Sequence, residues 1–247
     1  MKLILISGAN GQVGSYLANA YRAEGYKLAL LYHNRFERLK QFESDQNCFL
    51  QAVDLSDFAS TQKAIENVTE FFKQTADALI HCAALRSYDA KALAYTNPQT
   101  FTEVISTNIL GAYHIVRALL PQMLEKRYGR IVLFGSDVSR KGLKQGSAYA
   151  AAKAAIVSLA QSVALETIGT NVLINAISPA PVETNLEEDF QGEYLEFRRN
   201  YFANFLNSNP GLKLISKAEI KIVVDLLINP EIQTISGQEL FMTGGLN

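Results

Sequence analysis

The sequence predicts an α/β fold: a doubly wound, mostly parallel sheet with helices on both faces, in one domain spanning residues 1–247. Three observations point to it. Short apolar runs alternate with longer amphipathic segments over most of the chain. A glycine-rich turn follows the first apolar run directly. No repeat, low-complexity tract or Pro/Gly/Ser-rich linker breaks the alternation.

The strands are read in order as Lys2 to Ser7, Lys27 to Tyr32, Cys48 to Val53, Ala78 to Cys82, Arg130 to Gly135, Val172 to Ile177 and Gln238 to Met242. Between them lie helical patterns. One runs from about Gln12 through Ala23, and another places Phe58, Ile65, Val68 and Phe72 at helix-compatible spacing. In a helix starting near Pro98, Phe101, Val104, Ile105, Ile109, Ile115, Val116, Leu119, Leu120 and Met123 spread over a wide arc. The helix from Ala148 to about Leu165 is alanine-rich and nearly uncharged apart from Lys153. Helices apolar on more than one side are deeply buried or covered by another subunit. The reading favours a subunit interface and a homo-oligomer, a homotetramer first, with the terminal Asn247 a further candidate for that packing.

Composition narrows the function classes. Hydrophobic residues at 48% and charged residues at 19% fit a soluble globular enzyme. A net charge of -1 supplies no global basic field for nucleic acid and no acidic excess for disorder. Runs such as Leu3 to Ile6 fall far short of the ~20 residues that span a bilayer. Glycines follow that run too closely for a signal peptide. Cys48 and Cys82 give no disulfide framework, so a reducing cytoplasm is the simplest compartment.

The turn reads Ser7-Gly8-Ala9-Asn10-Gly11-Gln12-Val13-Gly14. Strand, glycine turn and helix make an anion site: glycines admit phosphate close to the backbone, and free N–H groups at the helix start point toward it. A tight turn without a ligand is the alternative. Cofactor choice is read after the second strand, where an acid would hold the ribose hydroxyls of NAD and a basic group the extra phosphate of NADP. Tyr32, His33, Asn34, Arg35 and Phe36 bring no acid before Glu37. Arg35 offers a charged planar fork, with His33 and Asn34 beside it, so the reading is NADPH over NADH; a solvated surface arginine is the alternative.

Far downstream, Tyr149 and Lys153 stand four residues apart and stack on one helix face. Lys153 is the only charge between Lys144 and Glu166, which sets it apart from a solvated face. A nearby ammonium favours phenolate and suits Tyr149 to general acid–base work. Ser136 ends an apolar strand, at the sheet edge where ligands of α/β folds bind. Asn108 lies on an apolar helix face, where its amide needs partners; taken alone, a structural hydrogen bond is a readier explanation than catalysis.

On these residues the chain resembles the short-chain dehydrogenase/reductases, in their shorter single-domain branch with a Rossmann-type sheet. Asn108, Ser136, Tyr149 and Lys153 match that family's catalytic set in its usual register. The resemblance implies a carbonyl reductase in which Tyr149 is the acid, Ser136 polarises the carbonyl, Lys153 holds the nicotinamide ribose and Asn108 positions a relay water. It also implies that Asp54 and Leu55 meet adenine, Ala83 and Ala84 the ribose, and Pro179, Val182 and Thr184 the nicotinamide. Gly237, Gly244 and Gly245 fit its C-terminal pattern.

Three departures stand out. The Gly-x-x-Gly-x-x-Gly spacing and His81-Cys82-Ala83-Ala84 look more like the family's extended branch, and Pro179-Ala180 replaces the usual Pro-Gly. A nucleotide-sugar epimerase or dehydratase is therefore an alternative, and a cofactor-binding regulator without turnover another. No companion cluster turns His81 and Cys82 into a metal site; a buried strand end is expected. Residues 183–214 should form a substrate flap. There Tyr194, Phe197, Tyr201 and Phe205 share one predicted helical face, beside Arg198 and Arg199; the rings either complete the core or line the pocket, and in the second case the expected ketone has a sizeable apolar portion. Lys126, Arg127 and Arg130 could attract an acidic carrier bearing that substrate, or form a solvated cluster at a helix end.

Overall fold

A computed structural model describes residues 2–246, so the packing role considered for Asn247 lies outside the described residues. Seven strands, β1 (Leu3–Ser7), β2 (Lys27–Tyr32), β3 (Cys48–Ala52), β4 (Ala78–His81), β5 (Gly129–Phe134), β6 (Val172–Pro179) and β7 (Glu239–Met242), form one sheet. Their order is β3-β2-β1-β4-β5-β6-β7 and every neighbouring pair is parallel. The connecting helices are α1 (Gln12–Ala23), α2 (Phe58–Phe72), α3 (Pro98–Ile105), α4 (Gly111–Lys126), α5 (Val138–Lys141), α6 (Ser147–Glu166), α7 (Leu186–Asp189), α8 (Gly192–Ser208) and α9 (Lys217–Ile228).

Both faces of the sheet are covered, which is why its strands read as unbroken apolar runs. In β1, Leu3 and Leu5 enter a core shared with α2, α4 and α6, while Ile4 and Ile6 enter another shared with α1 and α9. Alternate side chains of a strand leave opposite faces, so a strand between two cores needs an apolar residue at each position. The order of the sheet reverses between β1 and β4. Loops leaving the C-terminal ends of these two strands diverge and open a crevice there.

The long apolar helix expected from Pro98 is divided. Asn97 caps α3 by accepting from Gln99 N at 2.8 Å, and a π turn, Ser106–Leu110, separates α3 from α4. The wider turn carries Asn108 to full burial. α6 is long and apolar enough, by length and composition, to cross a membrane. Its composition has another cause. Ala148, Ala152, Ile156, Ala160 and Val163 are buried, and α6 packs on α3, β5 and β6. Burial within the protomer thus accounts for much of the surface assigned to a subunit interface. Tyr113 on α4, Leu165 on α6 and Ile168 just beyond it stay exposed.

The basic cluster at the end of α4 is not a patch. Lys126 pairs with Asp77, and Arg127 donates to Gly169 O at 2.9 Å. Arg130 is fully buried on β5, where its guanidinium donates to the carbonyls of Gly129, Asn171 and Ile232. Arg130 thus leaves the expected cluster for the core, while Lys126 and Arg127 stay exposed at the helix end.

Candidate active site

The glycine turn lies at the reversal point. Gly8 has φ +67°, a left-handed value, and a Cβ there would collide with the backbone of Ala83. A Cβ on Gly14 would lie 2.9 Å from Ala9 Cα and closer still to Gly8 O. Gly11 N donates to Gly8 O at 3.0 Å, closing the turn, and no side chain caps the start of α1. Bare N–H groups at a helix N-terminus beside closely approachable backbone fit a diphosphate. The Gly-x-x-Gly-x-x-Gly spacing places all three glycines in this turn and at the start of α1.

Two polar side chains expected to meet the cofactor are engaged elsewhere. Gln12 donates to Asn185 O at 2.6 Å and to Asp189 at 2.7 Å, and accepts from Asn185 N at 2.8 Å. Asn10 accepts from Arg38 N at 2.9 Å through its side chain and from the Arg38 guanidinium through its carbonyl. Arg38 then pairs with Glu188 at 2.6 Å and Asp189 at 3.1 Å. The glycine turn and α7 are thereby strapped together across the cleft mouth. Sequence reasoning missed Arg38; its place three residues after Arg35 was the available signal.

The second lobe of the cleft is bordered by His33, Asn34, Arg35, Asp54, Leu55, Ala83 and Ala84, along with Asn10. Arg35 is exposed and enters no hydrogen bond or ion pair among the described residues. Asp54 accepts from Ser56 Oγ at 2.7 Å and Ser56 N at 2.9 Å, contacts that hold its carboxyl below the usual range. His81 is a buried strand end, with Nδ1 2.7 Å from Ser7 Oγ. Burial, and then the charge of Lys153, push its pKa down to about 3, so the ring is neutral at ordinary pH.

The deeper lobe, about 480 Å³, is of ordinary small-molecule size. Val13, Ser136, Tyr149, Lys153, Pro179, Val182 and Thr184 all line it. β5 leads into Ser136, and α6 carries the other two members. Lys153 is buried and donates from Nζ to Phe134 O at 2.7 Å, which fixes the ammonium 5.5 Å from the centre of the Tyr149 ring. Ser136 Oγ donates to Asp137 at 3.1 Å, and Asp137 pairs with Lys141 at 2.6 Å.

Asn108 is not brought to this lining. Its amide donates to Leu85 O and Val104 O, each at 2.7 Å, and accepts from Leu85 N at 3.3 Å. It thereby fixes the backbone immediately before Arg86. The Arg86 guanidinium lies 4.6 Å from the centre of the Tyr149 ring. Sequence reasoning missed Arg86, although it is the one formal charge between Asp77 and Asp89, in the loop beside the reversal point.

These charges set the protonation of Tyr149. Burial pushes the phenol up, but Arg86, then Lys153 and Arg198, outweigh it and hold it below the ordinary tyrosine value. Burial likewise pushes Lys153 down, with Tyr149 opposing.

α8 presents a different face from the one expected. Tyr194, Arg198, Phe202 and Phe205 are buried, while Phe197 is only half-buried. Both stripes obey helical spacing. The arginine takes the inward place because Phe190, Tyr201 and Phe202 surround its guanidinium at 5.8, 5.3 and 4.9 Å.

Comparison with known proteins agrees with this geometry. The chain belongs to the short chain dehydrogenase family, whose sequence profile matches residues 2–194. The 3-oxoacyl-[acyl-carrier-protein] reductase MabA of Mycobacterium avium is 27% identical, with 98% of this chain and 89% of that protein covered. The 3-oxoacyl-[acyl-carrier-protein] reductase FabG of Escherichia coli (strain K12) is 25% identical, with 99% and 97% covered. Among solved structures, an NAD+-bound xylitol dehydrogenase superposes with a TM-score of 0.87 at 26% identity, covering 99% of this chain and 98% of that one. The protein is an oxidoreductase of this family.

Proposed function

We propose that the protein is an NADPH-dependent carbonyl reductase that converts a ketone to a secondary alcohol, with Tyr149 as general acid. The observation that carries this reading is Tyr149 itself: a buried phenol, held below its ordinary pKa, in a cleft that continues into the glycine turn. Carbonyl reduction needs a proton at the oxygen as the carbon is reduced, and an acid works best with a pKa near the working pH.

Gln12, Val13 and Gly14 would hold the diphosphate by backbone N–H groups at the start of α1, with Gly8 and Gly11 shaping the turn. His33, Asn34 and Arg35 would receive the 2′-phosphate, with Asp54 and Leu55 against adenine and Ala83 and Ala84 against its ribose. Pro179, Val182 and Thr184 would border the nicotinamide ring. When bound, NADPH supplies the hydride. Tyr149 donates its phenolic proton to the carbonyl oxygen. Lys153 keeps a positive charge near the phenolate so formed, and Phe134 O fixes its position. Ser136 holds the carbonyl oxygen once its hydroxyl turns from Asp137. Asn108 acts as a positioning residue through Leu85.

The names of the two reductase relatives favour 3-oxoacyl thioesters, carrier-bound or free, as one substrate class. Residues 183–214 serve as the flap over it, and the exposed Tyr113, Leu165 and Ile168 fit contact with further copies in a homotetramer. The test is NADPH oxidation across 3-oxoacyl thioesters, cyclic ketones, sugar-derived ketones and quinones, with wild type and Tyr149→Phe. Turnover of at least one ketone is expected, with loss of kcat by two orders of magnitude or more, on the order of a general acid's contribution, in the variant. Near-wild-type kcat in Tyr149→Phe would remove the assignment.

A further inference from the structure

Two cations of the cleft lack a counter-charge. Arg86 and Arg198 both line the lobe that holds Tyr149, and neither guanidinium makes a hydrogen bond or ion pair among the described residues. Arg198 is only 4% exposed, and its Nε is buried without a partner. Other arginines here differ. Arg199, the next residue, pairs with both Glu187 and Glu196, while buried Arg130, whose Nε is likewise unpartnered, has backbone carbonyls for its two terminal nitrogens. A buried charge without a counter-charge is expensive, and stacking on three rings offsets only part of that cost.

The nearby acids do not supply the missing partner. Asp137 is held by Lys141 and Ser136, and Asp189 by Arg38 and Gln12. Asp89 accepts from Lys91 N and pairs with neither arginine. Nor does the proposed cofactor, whose phosphates belong at the glycine turn and Arg35, away from the Tyr149 ring that Arg86 covers. Burial first, and then the like charge of Arg86, push the Arg198 pKa down to about 10, so the two cations share a field that an anion would relieve.

On the reductase reading of this cleft, we propose that the substrate ketone carries its own anionic group, a carboxylate or a phosphate ester, which Arg86 and Arg198 hold while Tyr149 meets the carbonyl. Guanidinium forks suit either anion, and the cage of Phe190, Tyr201 and Phe202 fixes one fork in advance. The pocket expected for a ketone with a sizeable apolar portion thus has apolar walls and a cationic end.

The test uses matched pairs and two readouts. The probes are 2-, 3-, 4- and 5-oxo carboxylates with their methyl esters, and dihydroxyacetone phosphate with dihydroxyacetone. Calorimetry on the full chain saturated with NADPH, so that the cofactor phosphate sites are filled, measures binding. NADPH oxidation measures turnover. At least one anionic probe should bind roughly 10- to 100-fold more tightly than its neutral partner, the range expected for charge-assisted hydrogen bonds. That preference should vanish in Arg198→Met and shrink in Arg86→Met, with Arg198→Lys retaining part of it. Thermal melts identify any variant that fails to fold, and the Lys variant then carries the test. Equal binding of every anionic and neutral pair, or a preference that survives both Met variants, overturns the proposal. Turnover of neutral ketones with no anion preference overturns it while sparing the reductase reading. Arginine-dependent anion binding without reduction of any ketone does the reverse.

Discussion

The guanidinium of Arg86 stacks over the Tyr149 ring with 4.6 Å between the guanidinium carbon and the ring centre, so the proposed acid is flanked by two cations, the other being Lys153. After burial, which acts in the opposite direction, Arg86 is the largest influence on the Tyr149 phenol, ahead of Lys153. A pH profile can separate the two.

Reduction requires protonated Tyr149, so kcat/KM for a neutral ketone should fall as pH rises through the Tyr149 pKa. Arg86→Met removes the foremost influence lowering that pKa, and the alkaline limb should move to higher pH. An unmoved limb would show that Arg86 does not set the acidity of Tyr149.

Lys153→Met should harm binding and chemistry together. Phe134 O loses its donor, a change of about 1–3 kcal/mol in stability for an unsatisfied buried acceptor. Tyr149 loses a neighbouring cation as well. Urea unfolding and NADPH titration of the same protein read the two effects; a variant with unchanged stability and cofactor affinity would contradict both.

Arg35 faces solvent without a partner at the second lobe, which suits it to a phosphate arriving from solution. Arg35→Ala should weaken NADPH binding by roughly tenfold and NADH binding far less, since one hydrogen-bonded charge is lost from the former alone. Fluorescence titration with both cofactors decides it, and equal losses would move the phosphate site elsewhere.

His81 gives stability a pH dependence of definite sign. Its folded pKa, about 3, lies below the ordinary value of 6.5. Above 6.5 both folded and unfolded chains hold a neutral ring and the contribution is complete. Between 6.5 and 3 the unfolded chain takes a proton that the folded one refuses, so stability falls with pH. At pH 5 the loss is about 2 kcal/mol relative to pH 8. His81→Gln should lose that much less over the same interval in urea midpoints; parallel curves would assign the acid sensitivity to other groups.

The sheet was readable because burial on both faces writes itself into consecutive residues, as in Leu3 to Ile6. Tyr149 and Lys153 were readable because a single helix carries both, and their spacing is local. Arg86 and Arg38 were not, because their partners are distant: Tyr149 is 63 positions from Arg86 in the sequence, and Glu188 is separated from Arg38 by 150. Arg130 misled for a related reason. Three basic residues in five positions suggest a patch, yet β5 begins at Gly129 and takes the last of them inside. The inward face of α8 was ambiguous because Phe197 and Arg198 each extend a regular stripe, and only the surrounding rings choose between them.

The strap between Gln12 and Asn185 bears on the order in which the molecule is made. The two residues are 173 positions apart, so the glycine turn, complete in the first tenth of the chain, waits for α7 to emerge before its mouth can close. Loop closure over such a separation is entropically demanding and belongs late in folding. A nascent chain that has passed β6 already holds six of the seven strands, with the glycine turn not yet joined to α7. On the proposed function, cofactor present during synthesis would meet the glycine turn before the strap to α7 forms.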